Sequence, residues 1–353
     1  MVTKNNNTSP ENGEKAPGLW GWHTALSIAI TIVIFIILAT MVDLKKVWYE
    51  FSDCNKIYVL LGMLFHYGTY PVRGLRWRRC LIHMPVRGGK AKFGLLVFFY
   101  NFVDNVVPAK LGDVYGAHLA RINFGVTRSG AFGSIVFLRM MDAWVILLLA
   151  FLSSWILFSE KLPPSVAWTL IGGGIIAVAA TLIMLIFFLL KKSLPKWLPQ
   201  RIREMIQAFH VGMWPKPKEI IPVLLLTAVI WAMETLWILF LVRGFGLKVS
   251  PMEIIFLTMI PVLASAFPLT PSGAGVVELT LYSCLRVIGV PAPLAVSLTV
   301  VNRFIDYWLH IGLGLLAWTA RHKIGLRTWR EVPIEDPQQT LELKNLINQE
   351  DLS

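Results

Sequence analysis

The sequence has few charged residues for its length. Only 15% of its 353 residues are charged, whereas soluble domains carry about 25%. Hydrophobic residues make up 56% of the chain, and the mean hydropathy is +0.62. A surface with so little charge meets lipid rather than water. The composition therefore excludes a soluble enzyme and predicts an all-α integral membrane protein of many helices.

Cysteine and the familiar catalytic motifs are also scarce. Cys54, Cys80 and Cys284 are far apart and lack the spacing of a metal site. No GxxxxGK[ST], HExxH or GxSxG motif is present. We therefore expect no metal, no cofactor and no direct use of ATP, and the missing motifs argue against an enzyme.

Acidic residues are outnumbered by basic ones. The chain has 33 Lys and Arg against 21 Asp and Glu, a formal net charge of +12. The basic residues fall between apolar runs rather than on one soluble domain, which argues against nucleic acid as a partner. Basic loops of membrane proteins face the cytoplasm and its anionic lipids. We therefore expect a multi-pass protein of the plasma membrane with both termini in the cytoplasm.

Long apolar runs are plentiful, and a spanning helix needs about 20 residues. Five clear runs and one weaker run that contains His66 have this length. They cover residues 19–41, 57–75, 130–158, 166–190, 220–242 and 292–318. The sequence therefore predicts about six full transmembrane helices.

Two other apolar regions, 93–119 and 251–285, are each divided into short pieces. Pro108 and Gly112 break the first region, and Pro268 and Pro271 break the second. Irregular backbone is tolerated at membrane depth only where protein or a wet cavity covers it. We predict two re-entrant helical hairpins, with two ordinary helices and a short loop as the alternative for each.

Rare residues recur at a constant offset of 164 positions (303 − 139 and 306 − 142). The two sets are Gly125, Arg139, Asp142 and Trp144, and Gly289, Arg303, Asp306 and Trp308. Three full crossings in each copy would invert the second copy, and inverted repeats with broken helices are typical of transporters. Gly125 and Gly289 are expected to permit tight helix packing.

The repeat predicts the organisation of the chain. Residues 1–19 form a disordered cytoplasmic tail, 20–160 the first membrane repeat, 161–320 the second, and 321–353 a cytoplasmic tail. The site of such a transporter lies at the interface between the repeats.

The polar residues in these apolar regions resemble those of the lysylphosphatidylglycerol synthase transmembrane-region family. The resemblance rests on Asn105, Pro108, Gly112, Asp113, Arg139, Asp142, Pro268, Pro271, Gly273, Gly275, Glu278, Arg303 and Asp306. It implies a lipid-translocating transmembrane domain that handles phosphate-bearing headgroups. The best-known members also carry a soluble aminoacyl-transferase domain, which we do not expect in this chain.

Arg139 and Arg303 are the main candidates for substrate binding. Intramembrane Arg and Asp cost about 2.5–3.5 kcal/mol each on insertion scales, so they require partners. We expect both arginines to hold a lipid phosphate, with Asp142 and Asp306 orienting them at helical spacing. The alternative is a structural ion pair that ties each helix to its hairpin.

Residues at the hairpin tips and at the end of the second span are further candidates. Lys110, Ser272, Gly273 and Gly275 would bind an anion at the tips. Arg73 and Arg76 would form either an interfacial anchor or an access site for headgroups.

The other intramembrane acids are supporting or coupling candidates. Asp104, Asp113, Glu234 and Glu278 could carry a proton, but pairing of Asp113 with Arg139 and of Glu278 with Arg303 is favoured. Asn105 is expected to form a hydrogen bond within the first hairpin.

Three functions remain open at this point. The first is a flippase that moves a phospholipid or polyprenyl phosphate between leaflets. The second is a membrane-embedded enzyme acting on a lipid headgroup, and the third is a membrane partner of a glycosyltransferase. Anionic lipids are the expected ligands, and a homo-oligomer is a possible assembly.

Overall fold

The described part of the chain is helical throughout. The structure is a computed structural model, described for residues 44–82, 84–86, 89–106, 111–160, 162–190, 198–266, 273 and 275–327. This part contains no strand. Together with the hydropathy, it fits the predicted all-α polytopic membrane protein.

The first half of the chain contributes five described helices. They are α1 (Leu44–Asp53), α2 (Lys56–Cys80), α3 (Lys90–Val106), α4 (Leu111–Phe124) and α5 (Arg128–Leu157). Side-chain caps fix where two of them begin: Asn55 accepts from the Ile57 amide before α2, and Thr127 from the Gly130 amide before α5.

The second half follows the same order after one long apolar helix. Its helices are α6 (Pro164–Leu190), α7 (Gln200–Met213), α8 (Pro217–Gly244), α9 (Pro251–Ala264), α10 (Val276–Val287) and α11 (Ala292–Arg303). A π-helical segment (Phe304–Leu309) joins α11 to α12 (His310–Thr319) without a break.

The long helices agree with the predicted runs where these are described. Among the described helices, α5, α6 and α8 are long and apolar enough to cross a membrane. The run 57–75 lies in α2, which continues to Cys80, and the run 292–318 lies in α11, the π segment and α12. The run 19–41 lies outside the described residues.

Each divided apolar region forms two short helices. α3 and α4 have 17 and 14 residues, and α9 and α10 have 14 and 12. At 1.5 Å per residue these helices are about 18–26 Å long, whereas the hydrocarbon core is about 30 Å thick. We call α3 with α4 the first hairpin and α9 with α10 the second.

Gly112 does not break the first hairpin as predicted. It lies in the first turn of α4, and a Cβ there would collide with Asp104 and Tyr100 of α3. Gly112 therefore allows α3 and α4 to approach closely. Pro108, Pro268 and Pro271 lie outside the described residues.

The two halves repeat in their contacts as well as in their order. In the first half α5 packs against α7 and α9, and in the second α11 packs against α1 and α12 against α3. Gly125 and Gly289 follow α4 and α10 with φ of 77° and 91°. Both glycines end helices in a left-handed conformation, and a Cβ at Gly289 would meet no other atom, so the predicted packing role is wrong for Gly289.

The corresponding helices α2 and α8 pack together in opposite directions. At one end the Asn55 amide donates to the Gly244 carbonyl at 2.8 Å, and at the other Arg79 pairs with Glu219 at 3.0 Å. Between these contacts, Gly62 lies against Trp237. This antiparallel pair carries polar residues from both halves into the interior.

Candidate functional site

Arg139 pairs with Asp113, as the favoured pairing predicts. Arg139 Nε and Nη2 donate to the two Asp113 carboxylate oxygens at 3.1 and 2.8 Å. Asp104 of α3 approaches Arg139 Nη2 to 3.9 Å. Asp113 lies in the first turn of α4, where a negative charge is favourable. The Arg139 side chain still keeps 40% of its surface exposed.

Arg303 pairs with Glu278 in the second half, again as predicted. Its Nε lies 2.8 Å from Glu278 Oε1, and Glu278 Oε2 accepts from the Gly275 amide at 2.8 Å. The Arg303 guanidinium lies 4.2 Å from the centre of the Tyr307 ring, a cation–π contact. Both arginines thus tie a long helix to the second helix of its hairpin.

The prediction that Asp142 and Asp306 orient these arginines is wrong. Asp142 accepts from Arg76 at 2.6 and 2.9 Å and from Trp231 Nε1 at 3.0 Å. Asp306 Oδ1 lies 3.4 Å from His66 Nε2. Helical spacing places each aspartate near its arginine, but the guanidinium groups pair with the hairpin carboxylates of Asp113 and Glu278. The aspartates face α2 instead.

Arg73 and Arg76 are both paired with carboxylates of other helices. Because α2 continues to Cys80, both lie inside the helix, and Arg76 is only 4% exposed. Arg73 Nη2 donates to Glu234 Oε1 at 2.8 Å, and its guanidinium lies 5.7 Å from the centre of the Trp231 ring. Carboxylates from neighbouring helices compensate both charges, so neither arginine has to reach the surface.

Three arginines meet around one small gap between α2, α3 and α5. We call Arg73, Arg76 and Arg139 the arginine cluster. The gap has a volume of about 20 Å³ and is also lined by Trp77, Tyr100, Ile135, Leu138 and Asp142. This space holds about one water molecule. Guanidinium groups from both α2 and α5 therefore face the same gap.

A second polar group lies at the α2–α8 contact. His66 Nδ1 lies 3.0 Å from Glu234 Oε2, and Glu234 also holds Arg73. We call His66, Arg73, Glu234 and Asp306 the histidine cluster. From the sequence, His66 has no evident partner, although it shares a face of α2 with Arg73 seven positions later. Its partners come from distant segments, so no local pattern identifies them.

The hairpin tips are described only in part. Lys110 and Ser272 lie outside the described residues, whereas Gly273 is buried and Gly275 precedes α10. The Asn105 carbonyl accepts from Tyr307 Oη at 3.1 Å, which links the first hairpin to the π segment. Among the described residues, no group of three or more His, Cys, Asp and Glu is arranged to hold a metal ion.

Comparison with known sequences gives one family and several archaeal relatives. The profile of the family described as the lysylphosphatidylglycerol synthase TM region matches residues 24–314. A UPF0104 membrane protein of Methanocaldococcus jannaschii is 26% identical over 61% of this chain and 92% of its own length. A UPF0104 membrane protein of Pyrococcus horikoshii is 20% identical over 82% of this chain and 94% of its own length.

Proposed function

The chain belongs to the lysylphosphatidylglycerol synthase transmembrane-region family, and on that premise we propose that it moves a phosphate-bearing lipid between the leaflets of a membrane. The observation that carries this proposal is the arginine cluster. Intramembrane arginines are expensive and mark substrate pathways. Three of them around one gap fit an anionic ligand better than a purely structural role.

Phosphate suits this cluster for a geometric reason. The Arg139 fork already binds two oxygens of Asp113, and a phosphate group offers the same paired oxygens. The exposed fraction of Arg139 leaves the guanidinium accessible to a headgroup. Asp113, Asp142 and Glu234 keep the empty cluster near neutrality, so a lipid phosphate would exchange with carboxylates rather than enter an uncompensated positive site.

The repeat supports a route across the membrane. Arg139 and Arg303 each lie eleven residues after the first residue of their helix, 128 and 292, which is about 16 Å along the axis. The antiparallel α2 and α8 support an inverted arrangement of the halves. We propose that re-entrant hairpins expose the two arginines to opposite leaflets in turn, with Lys110 and Ser272 at the tips.

The gap is smaller than a phosphate group, so the proposed cycle needs movement of the first hairpin against α2 and α5.

Under this proposal, membrane lipids are the partners of the protein. By the positive-inside bias, we assign both termini to the cytoplasmic side of the plasma membrane.

The test is movement of fluorescent lipids in proteoliposomes, read by quenching of the outer leaflet. The panel contains labelled phosphatidylglycerol, phosphatidate and a polyprenyl phosphate. We expect wild-type protein to make inner-leaflet lipid accessible. Arg139→Gln and Arg303→Gln should each slow movement about tenfold, equivalent to about 1.4 kcal/mol in the barrier. Arg243→Gln, an exposed arginine at the end of α8, is the control and should leave the rate unchanged.

Mass spectrometry of the same lipids distinguishes a flippase from an enzyme, because only an enzyme changes the mass of the lipid. A lipid whose mass changes would replace the proposal with a membrane-embedded enzyme. If no phosphate-bearing lipid moves in any vesicle, the flippase proposal fails, and a membrane partner of a glycosyltransferase becomes the better account.

A further inference from the structure

His66 lies between two carboxylates from different segments. Its Nδ1 is 3.0 Å from Glu234 Oε2 of α8, and its Nε2 is 3.4 Å from Asp306 Oδ1 of the π segment. The histidine is 4% exposed, and Nε2 has no hydrogen bond in the described part of the chain. The other titratable groups that face His66 and its two carboxylates are Arg73, Tyr67, Tyr70 and His310.

The net charge of the histidine cluster depends on whether His66 holds a proton. Arg73 contributes one positive charge, whereas Glu234 and Asp306 contribute two negative charges. With neutral His66 the cluster therefore has a net charge of −1, and with protonated His66 it is neutral. When Arg73 is withdrawn, neutral His66 would leave the two carboxylates with a net charge of −2. Net charge at membrane depth is costly, so the proton is needed most in that state. An imidazolium also donates from both ring nitrogens, which satisfies both carboxylates.

The π segment places Asp306 beside His66 and distinguishes the two halves. The matching residue of the first half, Asp142, lies in regular α-helix and binds Arg76. Tyr67 Oη of α2 donates to the Ile305 carbonyl at 2.9 Å, which fixes this segment against α2. Single π-helical turns occur frequently at functional sites. Asp306 keeps 42% of its side chain exposed, so the cluster is not sealed from its surroundings on this side.

Arg73 belongs to both clusters. It lines the gap with Arg76 and Arg139 and donates to Glu234. A lipid phosphate that takes Arg73 withdraws the positive charge from Glu234. The proton on His66 then becomes the remaining compensation for that carboxylate, so phosphate at the arginine cluster and a proton at His66 favour each other.

We propose that His66, Glu234 and Asp306 form a proton-binding site that couples lipid movement to protons through Arg73. The coupling rests on the proposed function. One proton from water binds the imidazole as the phosphate binds Arg73, and it returns to water on the opposite side when the phosphate leaves. The proton and the anionic lipid thus move in the same direction, so a proton gradient drives the lipid.

Coupling of this kind is reciprocal. Uptake of one proton on binding makes lipid affinity rise up to tenfold for each unit that the pH falls. Two variants should then change the lipid affinity in opposite directions. In His66→Gln the proton site is lost, Glu234 keeps Arg73, and binding is weak at every pH. In Glu234→Gln the arginine is released, and binding is tight at every pH.

The experiment measures affinity for short-chain phosphatidylglycerol in detergent between pH 5.5 and 8.5, with proton uptake followed in weak buffer. Wild type should tighten at low pH and take up protons on binding. His66→Gln and Glu234→Gln should each lose the pH dependence, with affinities at opposite extremes. His118→Gln, a histidine of α4 outside the cluster, is the control and should keep the wild-type slope. Each variant is accepted only if it elutes as a single species.

The opposite-sign result is the informative one, because a structural role predicts weakened binding in both variants. Wild-type affinity that does not change with pH overturns the proposal, and so does a wild-type slope in His66→Gln. The lipid-movement assay without a pH gradient separates the two proposals. Wild-type movement that is unaffected by an imposed pH gradient overturns the coupling alone, whereas absence of any movement overturns the flippase function.

Discussion

At the scale of single residues, a carboxylate from another helix meets each arginine of the candidate site. Arg76 is met by Asp142, Arg139 by Asp113, and Arg73 by Glu234. Arg303 follows the same rule through Glu278. Removing one partner of a buried pair leaves an uncompensated charge, which is more costly than removing both. The pairs explain how an apolar bundle accommodates these charges.

The Asp142–Arg76 pair gives a direct prediction for stability. Asp142→Asn should lower the free energy of unfolding in mixed micelles by about 3–5 kcal/mol, because Arg76 stays buried without a counter-charge. Asp53→Asn on the exposed end of α1 is the matched control and should change it by about 0.5 kcal/mol or less. Equal losses in the two variants would contradict the role assigned to the buried pair.

The sequence identifies some of these residues but not their partners. Arg139 and Asp113 can be found because charges are rare in apolar runs and recur in the second half. Asp142 is assigned to the wrong arginine, since i, i+3 spacing cannot show that Asp113 reaches Arg139 with two oxygens. Arg73 and Arg76 look interfacial because hydropathy falls where they occur. Their true burial depends on Glu234 and Asp142, 161 and 66 positions away.

At the scale of helices, small residues decide which elements can touch. One close helix contact joins α5 and α7, where Gly130 faces Gly212 and Gly133 faces the Phe209 carbonyl. α7 is amphipathic, with Ile202 and Met205 exposed. It lies against α5 only because no Cβ intervenes, as in other membrane proteins with small residues at helix contacts.

Gly212→Ala tests this contact. A Cβ at Gly212 would overlap the Gly130 carbonyl oxygen, which is backbone and cannot rotate away. Overpacking of this kind typically costs about 1–3 kcal/mol, so the unfolding midpoint in mixed micelles should fall. Gly174→Ala in α6 has open space around its Cβ and provides the control, with a midpoint unchanged or slightly raised. A Gly212→Ala protein as stable as that control would show that α7 is not held by this contact.

The helix boundaries show which features of the fold can be predicted from local sequence patterns. Apolar run length predicts α5, α6 and α8 closely, because these helices face lipid over much of their length. The predicted run 292–318 gives no indication of its π segment, which depends on contacts such as Tyr67 with Ile305 and Tyr307 with Asn105. Asp306 faces His66 because of that segment, so this contact could not be predicted from the sequence.

At the scale of the whole molecule, two similar halves meet along α2 and α8. Two apolar cores each surround one hairpin and contain residues from both halves, and the histidine cluster lies where the halves meet. The outer surface is apolar, with Leu148, Phe151, Ile175, Leu182 and Leu225 exposed. This division of surface and interior fits a protein that carries a charged headgroup through its centre while lipid surrounds it.

The most direct test of this account is lipid movement by the charge-balanced double variant Asp113→Asn/Arg139→Gln in proteoliposomes. Removing both members of the Arg139–Asp113 pair leaves neither of them as an uncompensated charge, and Asp104 approaches Arg139 only to 3.9 Å, so the variant should remain folded. We predict that it moves phosphate-bearing lipid about tenfold more slowly than wild type, as Arg139→Gln alone does, because Arg139 acts on the phosphate and not only on Asp113. A folded double variant that moves lipid at the wild-type rate would contradict the account and reduce Arg139 to a structural residue.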